Sequence, residues 1–406
     1  MQKFDLFKLH SEKDSPRGWV WVYFDYSLLK NAYLNLLKSK PQNIIAKEIG
    51  VKLNSGISTV EKHLIELKHS NEKILFPLPV IIELVKIMNI KLKERIIDSF
   101  EYFICKTNHT KQSTKAIKEI NENLSKIIGA HMADGYLQRY NNKNNYQIKI
   151  SDGRKYLILK CAEWINKTFS IHPIITFSKK DHTWNCYFSH KVIARYFENI
   201  FMINVGKKFD IAKEPEIIKN SDFNIRKAFA KGVLMFDGGV KATGMVSLTS
   251  MSKQLIDDIE EILRFDGIEV NKRYNTKKKS WLIESKSGRN KEYLKKLLDY
   301  FEVGTWKYKR LQFFIENKKY KIEELEYLFP YHHRSKIRLK NVYLVIKKIK
   351  KGKIQDIMLG LSEFKISPIT IYKYLYLLEK SSLIYKEIEE HIGPKNGWQE
   401  SVYSLV

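Results

Sequence analysis

The chain is poor in cysteine. Cys105, Cys161 and Cys186 are widely spaced and odd in number, which fits neither a disulfide framework nor a CxxC zinc site. They read as buried thiols. No run approaches the roughly 18 apolar residues that a membrane-spanning helix needs, and the opening Met1-Gln2-Lys3-Phe4-Asp5 lacks the apolar stretch of a signal peptide. These absences predict a cytoplasmic, nucleoid-associated protein with no membrane partner. Acidic residues are also scarce, 45 Asp and Glu against 72 Lys and Arg, a net charge of +27. A field of that sign attracts polyanions before contact, and nucleic acid is the first partner it implies. Apolar residues, by contrast, make up 44% of the 406 and aromatics 13%, which excludes a disordered tail and allows two or three domains.

The ends of the chain read as helical modules. Between about Leu36 and Met88, the run Asn43–Val51 followed by Ile57–Leu64 has the layout of a helix-turn-helix, with a serine-capped second helix after a long turn at Lys52–Gly56. Residues 1–117 are therefore expected to form a helical, helix-turn-helix-like domain. Near the C-terminus, Ile354–Leu361 and Ile366–Glu379 predict two helices, the second with Ser367 as N-cap and Pro368 at its first position. Strands at Leu383–Ile388 and Ser401–Val406 around the loop Gly393–Trp398 complete the order of a winged helix over 335–406.

The middle, 118–320, carries the same unit twice, 118–220 and 221–320, and an internal repeat of this kind implies a pseudo-twofold domain. The first copy opens Ile127-Ile128-Gly129-Ala130-His131-Met132-Ala133-Asp134-Gly135, the second Ala230-Lys231-Gly232-Val233-Leu234-Met235-Phe236-Asp237-Gly238. Both read Gly-x-x-x-x-Asp-Gly at the end of an apolar helix. Two other Asp-Gly pairs, at Asp152 and Asp266, have Gln147 and Glu261 at the glycine position and fall outside the pattern. Small residues at Gly129, Ala130, Ala133 and Gly232 let two helices approach backbone to backbone. Their ends then bring Asp134 and Asp237 together, where the negative helix C-termini and two hard carboxylates favour Mg²⁺, with Mn²⁺ able to substitute.

This segment resembles a two-motif LAGLIDADG homing endonuclease of the DOD type. The resemblance implies an α+β fold in which two αββαββα halves form a saddle on duplex DNA, a monomer with internal pseudo-twofold symmetry. It implies that Asp134 and Asp237 each bind metal and serve one strand in phosphodiester hydrolysis, leaving a double-strand break. A basic residue after the last helix-to-helix turn of each half would approach the site, which points to Lys207 in Val205-Gly206-Lys207-Lys208 and Lys307 in Val303-Gly304-Thr305-Trp306-Lys307. The strands after each motif, Tyr146–Ile150 and Lys241–Thr249, would offer Gln138, Arg139, Gln147, Lys149, Lys241, Thr243, Arg273 and Asn275 to bases and phosphates. With Met1 in place of a splicing nucleophile and no His-Asn at the end, the sequence reads as free-standing rather than as an intein. Two other readings stay open, a catalytically silent DNA-binding regulator and an RNA maturase or processing factor on the same core.

Overall fold

The computed structural model describes residues 3–70, 73–88, 93–106, 111–140, 145–208, 210–286, 291–316, 318–330, 337–364, 366–389 and 400–406. The chain is mixed α and β with antiparallel sheets, and it divides into two compact units. One comprises Met1–Asp237 with Ser250–Ile262, the other Gly238–Thr249 with Leu263–Val406. Among the described residues no helix is long and apolar enough to cross a membrane.

In the first unit, residues 3–115 are not purely helical. They form a four-stranded antiparallel sheet in the order Ile74–Pro77, Val20–Phe24, Phe100–Lys106, Lys111–Lys115, with helices at Ser27–Leu37, Gln42–Lys52, Ile57–His69 and Leu78–Ile87. The central strand, Val-Trp-Val-Tyr-Phe, is β-branched and aromatic throughout and buries every second residue, the pattern of a half-covered strand. It lies outside the stretch that carries the helix-turn-helix pattern, which is why that pattern gave no sign of it. The helices Gln42–Lys52 and Ile57–His69 are present as expected, but the second is capped by Gly56 with no side-chain hydrogen bond rather than by serine.

This N-terminal segment is tied to later residues by buried polar groups. The Asp14 carboxylate accepts from Lys191 at 2.7 Å and from Arg195 Nη2 at 2.8 Å, with Arg195 Nη1 ion-paired to its other oxygen at 2.7 Å, all three side chains being nearly inaccessible. Arg195 also donates to Leu9 O at 2.8 Å, and Tyr196 Oη bonds both the N–H and the carbonyl of Ile117.

Next comes the order helix Glu122–Asp134, strands Gly135–Tyr140 and Asn145–Asp152, helix Lys155–Phe169, strands Ile174–Ser178 and Thr183–Phe188, helix Lys191–Arg195. It recurs as helix Phe223–Phe236, strands Gly239–Val240 and Val246–Ser250, helix Lys253–Phe265, strands Val270–Asn275 and Ser280–Ser285, helix Lys291–Leu298. Both sheets place their strands in the sequence order first, second, fourth, third. Each carries the same cross-strand aromatic pair, Phe177 on Trp184 with ring centres 5.1 Å apart and Tyr274 on Trp281 with ring centres 5.0 Å apart. The expected strand Lys241–Thr249 is instead a tight turn into a strand. Lys241 N–H donates to Met245 O at 2.8 Å, and Gly244 takes φ +80°, a left-handed conformation open to glycine that breaks the extended run.

The C-terminal part of the second unit contains helix Leu339–Ile349, strand Lys351–Lys353, helices Ile354–Gly360 and Pro368–Lys380, and strands Ile384–Glu389 and Glu400–Leu405. The last strand lies between the other two, all antiparallel. Ser367 and Pro368 stand at the N-cap and first position of their helix, as the sequence predicts. The loop Gly393–Trp398 lies outside the described residues.

Candidate active site

Two helices of the first unit build the site. Glu122–Asp134 starts at Asn121, whose side chain accepts from Leu124 N–H at 3.0 Å, and Phe223–Phe236 starts at Asp222, which accepts from Ile225 N–H at 3.1 Å. Matched caps fix where each helix begins and hence which residue ends it. Near their N-termini, Ser125 Oγ donates to Ile225 O at 2.7 Å. Midway, the backbones touch. A Cβ on Gly129 would lie 2.1 Å from Phe229 O and 3.1 Å from Gly232 Cα, and a Cβ on Gly232 would lie 2.2 Å from Lys126 O and 3.0 Å from Gly129 Cα. The contact is reciprocal, each glycine meeting the carbonyl three residues before the other. Only glycine permits this approach.

The helices run in the same direction, N-terminal parts together, so their C-terminal acids emerge on the same side. Asp134 and Asp237 each follow their glycine by five residues, about 7.5 Å along the axis. Both are exposed, whereas Ala130, Met132, Met235 and Phe236 just before them are buried. Ala130 sits in the contact, its backbone nitrogen 2.9 Å from the Cβ position of Gly232, while Ala133 is half-buried. Gly135 has φ −92°, so it is not a left-handed cap; a Cβ there would lie 2.5 Å from His131 Cα, and close approach is what requires glycine.

Lys208 joins the two acids. Its Nζ donates to the carbonyl of His131, which also accepts from Gly135 N–H, to Met132 O at 2.7 Å and to Ala133 O at 3.3 Å, so it gathers the carbonyls of the helix end. Burial pushes its ammonium down to about 8, against the opposing pull of Asp237 and Asp134, which places both carboxylates in electrostatic reach of one cation. Beneath it, His131 is fully buried with neither ring nitrogen hydrogen-bonded among the described residues, its ring edge-on to Phe197 at 5.0 Å. Burial, reinforced by Lys208, holds its pKa well below the usual value and keeps the ring neutral.

In the first turn Lys208 is the buried lysine, while Lys207, the expected one, is exposed beside it. Two lysines follow Gly206, and they differ in burial. Lys307 is buried in the first turn of the helix Trp306–Ile315 in the second unit, whose N-cap Thr305 accepts from Tyr308 N–H. The turns match in backbone, Gly206 at φ +93° and Gly304 at φ +85°.

The polar strand residues are only partly brought together. Gln138 lies opposite Gln147 and Tyr136 opposite Lys149, so these share one face. Arg139 projects to the other face, stacked on Tyr146 and held by Glu198 at 2.6 and 2.7 Å. In the second unit, Arg273 and Asn275 share a face of their strand, Asn275 accepting from Lys278 N–H at 3.1 Å in the hairpin turn. Lys241 and Thr243 lie in the turn before Val246 rather than on a strand. Lys241 and Arg273 meet on Glu284, a residue the sequence did not single out.

The acid pair suits a hard cation. Among the described residues no three His, Cys, Asp or Glu side chains gather to hold a metal, and the two carboxylates at the helix ends are the hard oxygen donors here. That is how Mg²⁺ is held at phosphoryl sites, by one or two carboxylates with the substrate completing its shell.

No protein-family model matches the chain. It is 29% identical over 163 residues to the replication factor C small subunit of Methanocaldococcus jannaschii, a match covering 39% of this chain and 8% of that protein. It is 24% identical over 157 residues to a DNA polymerase of Thermococcus sp. (strain GE8), covering 38% of this chain and 9% of that one. The match thus spans less than a tenth of either relative's length. A solved structure of mesophilic variants of the homing endonuclease I-DmoI is similar with a TM-score of 0.35 and 16% identity, over 44% of this chain and 94% of that one.

Proposed function

We propose that the protein is a divalent-metal-dependent endonuclease acting on double-stranded DNA, built on a duplicated LAGLIDADG-like core over 118–320. One observation carries the reading: Asp134 and Asp237 end two helices that meet backbone to backbone at Gly129 and Gly232, with Lys208 bonded at the end of the first. The recurrence of element order, strand order and aromatic pair supports the duplication. The order of helices and strands over 337–406 supports a winged helix, and the Gln42–Lys52 and Ile57–His69 pair a helix-turn-helix, both as DNA-binding modules. The +27 charge supports a polyanionic partner.

In this reading Asp134 and Asp237 hold Mg²⁺, or Mn²⁺ in its place. When bound, the ion supplies a Lewis acid beside the scissile phosphate. The chain's own groups set the stage for it. Gly129 and Gly232 fix the separation of the two acids. Lys208 offsets the negative helix end and the mutual repulsion of the carboxylates, and its Nζ adds positive charge next to a phosphorane bearing developing negative charge. Neutral His131 fills the space below without adding charge.

The test is to incubate the protein and its Asp134→Asn, Asp237→Asn and doubly substituted forms with Mg²⁺ and genomic DNA, then map new ends. Cleavage by the wild type, nicking by each single variant and silence of the double variant are expected. Uncut DNA with all four, but tight retention, would favour a non-cleaving regulator; preference for structured RNA without cutting would favour an RNA-processing factor.

A further inference from the structure

On the Val270–Asn275 and Ser280–Ser285 hairpin, Glu284 lies on the same face as Arg273 and is its diagonal neighbour, since Arg273 pairs with Leu282 and Asn271 with Glu284. Arg273 Nη2 donates to Glu284 Oε2 at 3.1 Å, and Lys241, from the turn before Val246, pairs with Oε1. The three side chains differ sharply in exposure: Glu284 is 11% accessible, Lys241 43% and Arg273 66%. A carboxylate is therefore set into the strand with both oxygens engaged, and an arginine stands beside it with most of its side chain exposed.

We infer that this cluster is a guanine-reading element, in which Glu284 holds the Arg273 guanidinium for bidentate donation to O6 and N7 of one guanine in the major groove. The inference rests on the DNA-binding reading above and adds to it a base and a positioning residue. Arginine has five N–H donors in a rigid plane, and the contact with Glu284 uses one N–H of Nη2, leaving its second N–H and the neighbouring nitrogen on that side as a two-donor edge for the base. A flexible arginine serves a phosphate as well as a base. A carboxylate beside it repels phosphate, so Glu284 weakens backbone contact while fixing the fork. Its presence is explained by orientation rather than by attraction to DNA. Lys241 completes the cluster by neutralising the second oxygen, which lets the carboxylate stay in a sheet face directed at a polyanion. Glu284, with both oxygens taken, does not itself contact a base and is a positioning residue.

The experiment is selection from a randomised duplex DNA pool with the full-length protein, followed by sequencing. The wild type is expected to enrich a motif with guanine strongly preferred at one position. Arg273→Ala should lower the preference at that position about tenfold or more, and Arg273→Lys should do nearly the same while keeping overall affinity, because it retains the charge and loses the fork. Glu284→Gln should lower the same preference severalfold, leave every other position unchanged, and tighten binding to unselected DNA. Unchanged preference in the Arg273 variants, or an equal loss at all positions in Glu284→Gln, would overturn the inference and leave the endonuclease reading standing. A wild type that enriches no motif would instead remove the sequence-specific DNA reading, and this inference with it.

Discussion

Replacing Gly129 with alanine adds one methyl group at a point 2.1 Å from Phe229 O, 3.0 Å from Val233 N and 3.1 Å from Gly232 Cα. All three atoms are backbone, so no rotamer change relieves the contact. Restoring an ordinary carbon-to-oxygen separation of about 3.3 Å requires the helices to part by about 1.2 Å. A gap of that size forfeits a quarter to a half of the dispersion energy along the seam, and overpacking of this kind costs about 1–3 kcal/mol. The higher helix propensity of alanine returns only about 1 kcal/mol. With the helix backbones themselves in collision the cost falls at the upper end of that range, and the expected net loss is about 2 kcal/mol, a fall in Tm of roughly 4–8 °C for a unit of this size. Gly232→Ala, 2.2 Å from Lys126 O, should match it, and the double variant should lose less than the sum, since the first methyl already parts the helices. Gly153→Ala is the control: a Cβ there meets nothing within 4 Å, and stability should change by less than about 0.5 kcal/mol. Thermal unfolding followed by circular dichroism decides the matter. If Gly129→Ala melts with Gly153→Ala, the backbone contact is not what holds the two aspartates in place.

Other outcomes follow from the same structure. Because Lys208 has a folded pKa of about 8 against 10.5 for an ordinary lysine, its buried charge costs stability below pH 8. That cost fades as pH rises from about 8 to 10.5, where the folded form has released its proton and the unfolded chain still holds one. Lys208→Met should lack this gain when denaturant midpoints are compared across the window. At Asp14, burial raises the carboxyl's pKa, but Arg195 and Lys191 together outweigh it and leave the pKa below the ordinary value. This contribution is present above the ordinary carboxylate range and lost as pH falls through the folded pKa. Asp14→Asn leaves two cations buried without an anion and should cost about 3–5 kcal/mol in urea unfolding at pH 7. Binding to duplex DNA should weaken linearly on a log-log plot of affinity against salt, by about 10³-fold or more between 50 and 200 mM if six or more phosphates are contacted. A flat plot in fluorescence anisotropy would remove the electrostatic argument.

Much of the candidate site was legible in the chain because its signal is local and repeated. Gly-x-x-x-x-Asp-Gly occurs twice in matching positions at the ends of apolar helices, and five-residue spacing on a helix dictates where the acid lies relative to the glycine. The two C-terminal helices and their Ser367-Pro368 start were equally readable, since caps and first-turn prolines act over three or four residues. What escaped was whatever depends on atoms distant in sequence. Which of Lys207 and Lys208 turns inward depends on the position of the carbonyls of His131, Met132 and Ala133, more than 70 residues earlier. Arg139 alternates onto the Glu198 side of its sheet because Leu137 is buried on that same side, and its partner lies 59 residues away. The N-terminal sheet needs Val20–Phe24 to find partners at both Ile74–Pro77 and Phe100–Lys106, pairings that no local pattern encodes. Charge, repeat and helix periodicity were properties of the polymer itself. The neighbours of each ionised group, and with them the choice of lysine, the ties of Arg139 and the setting of Arg273 on Glu284, were decided only when folding brought remote segments within hydrogen-bonding distance.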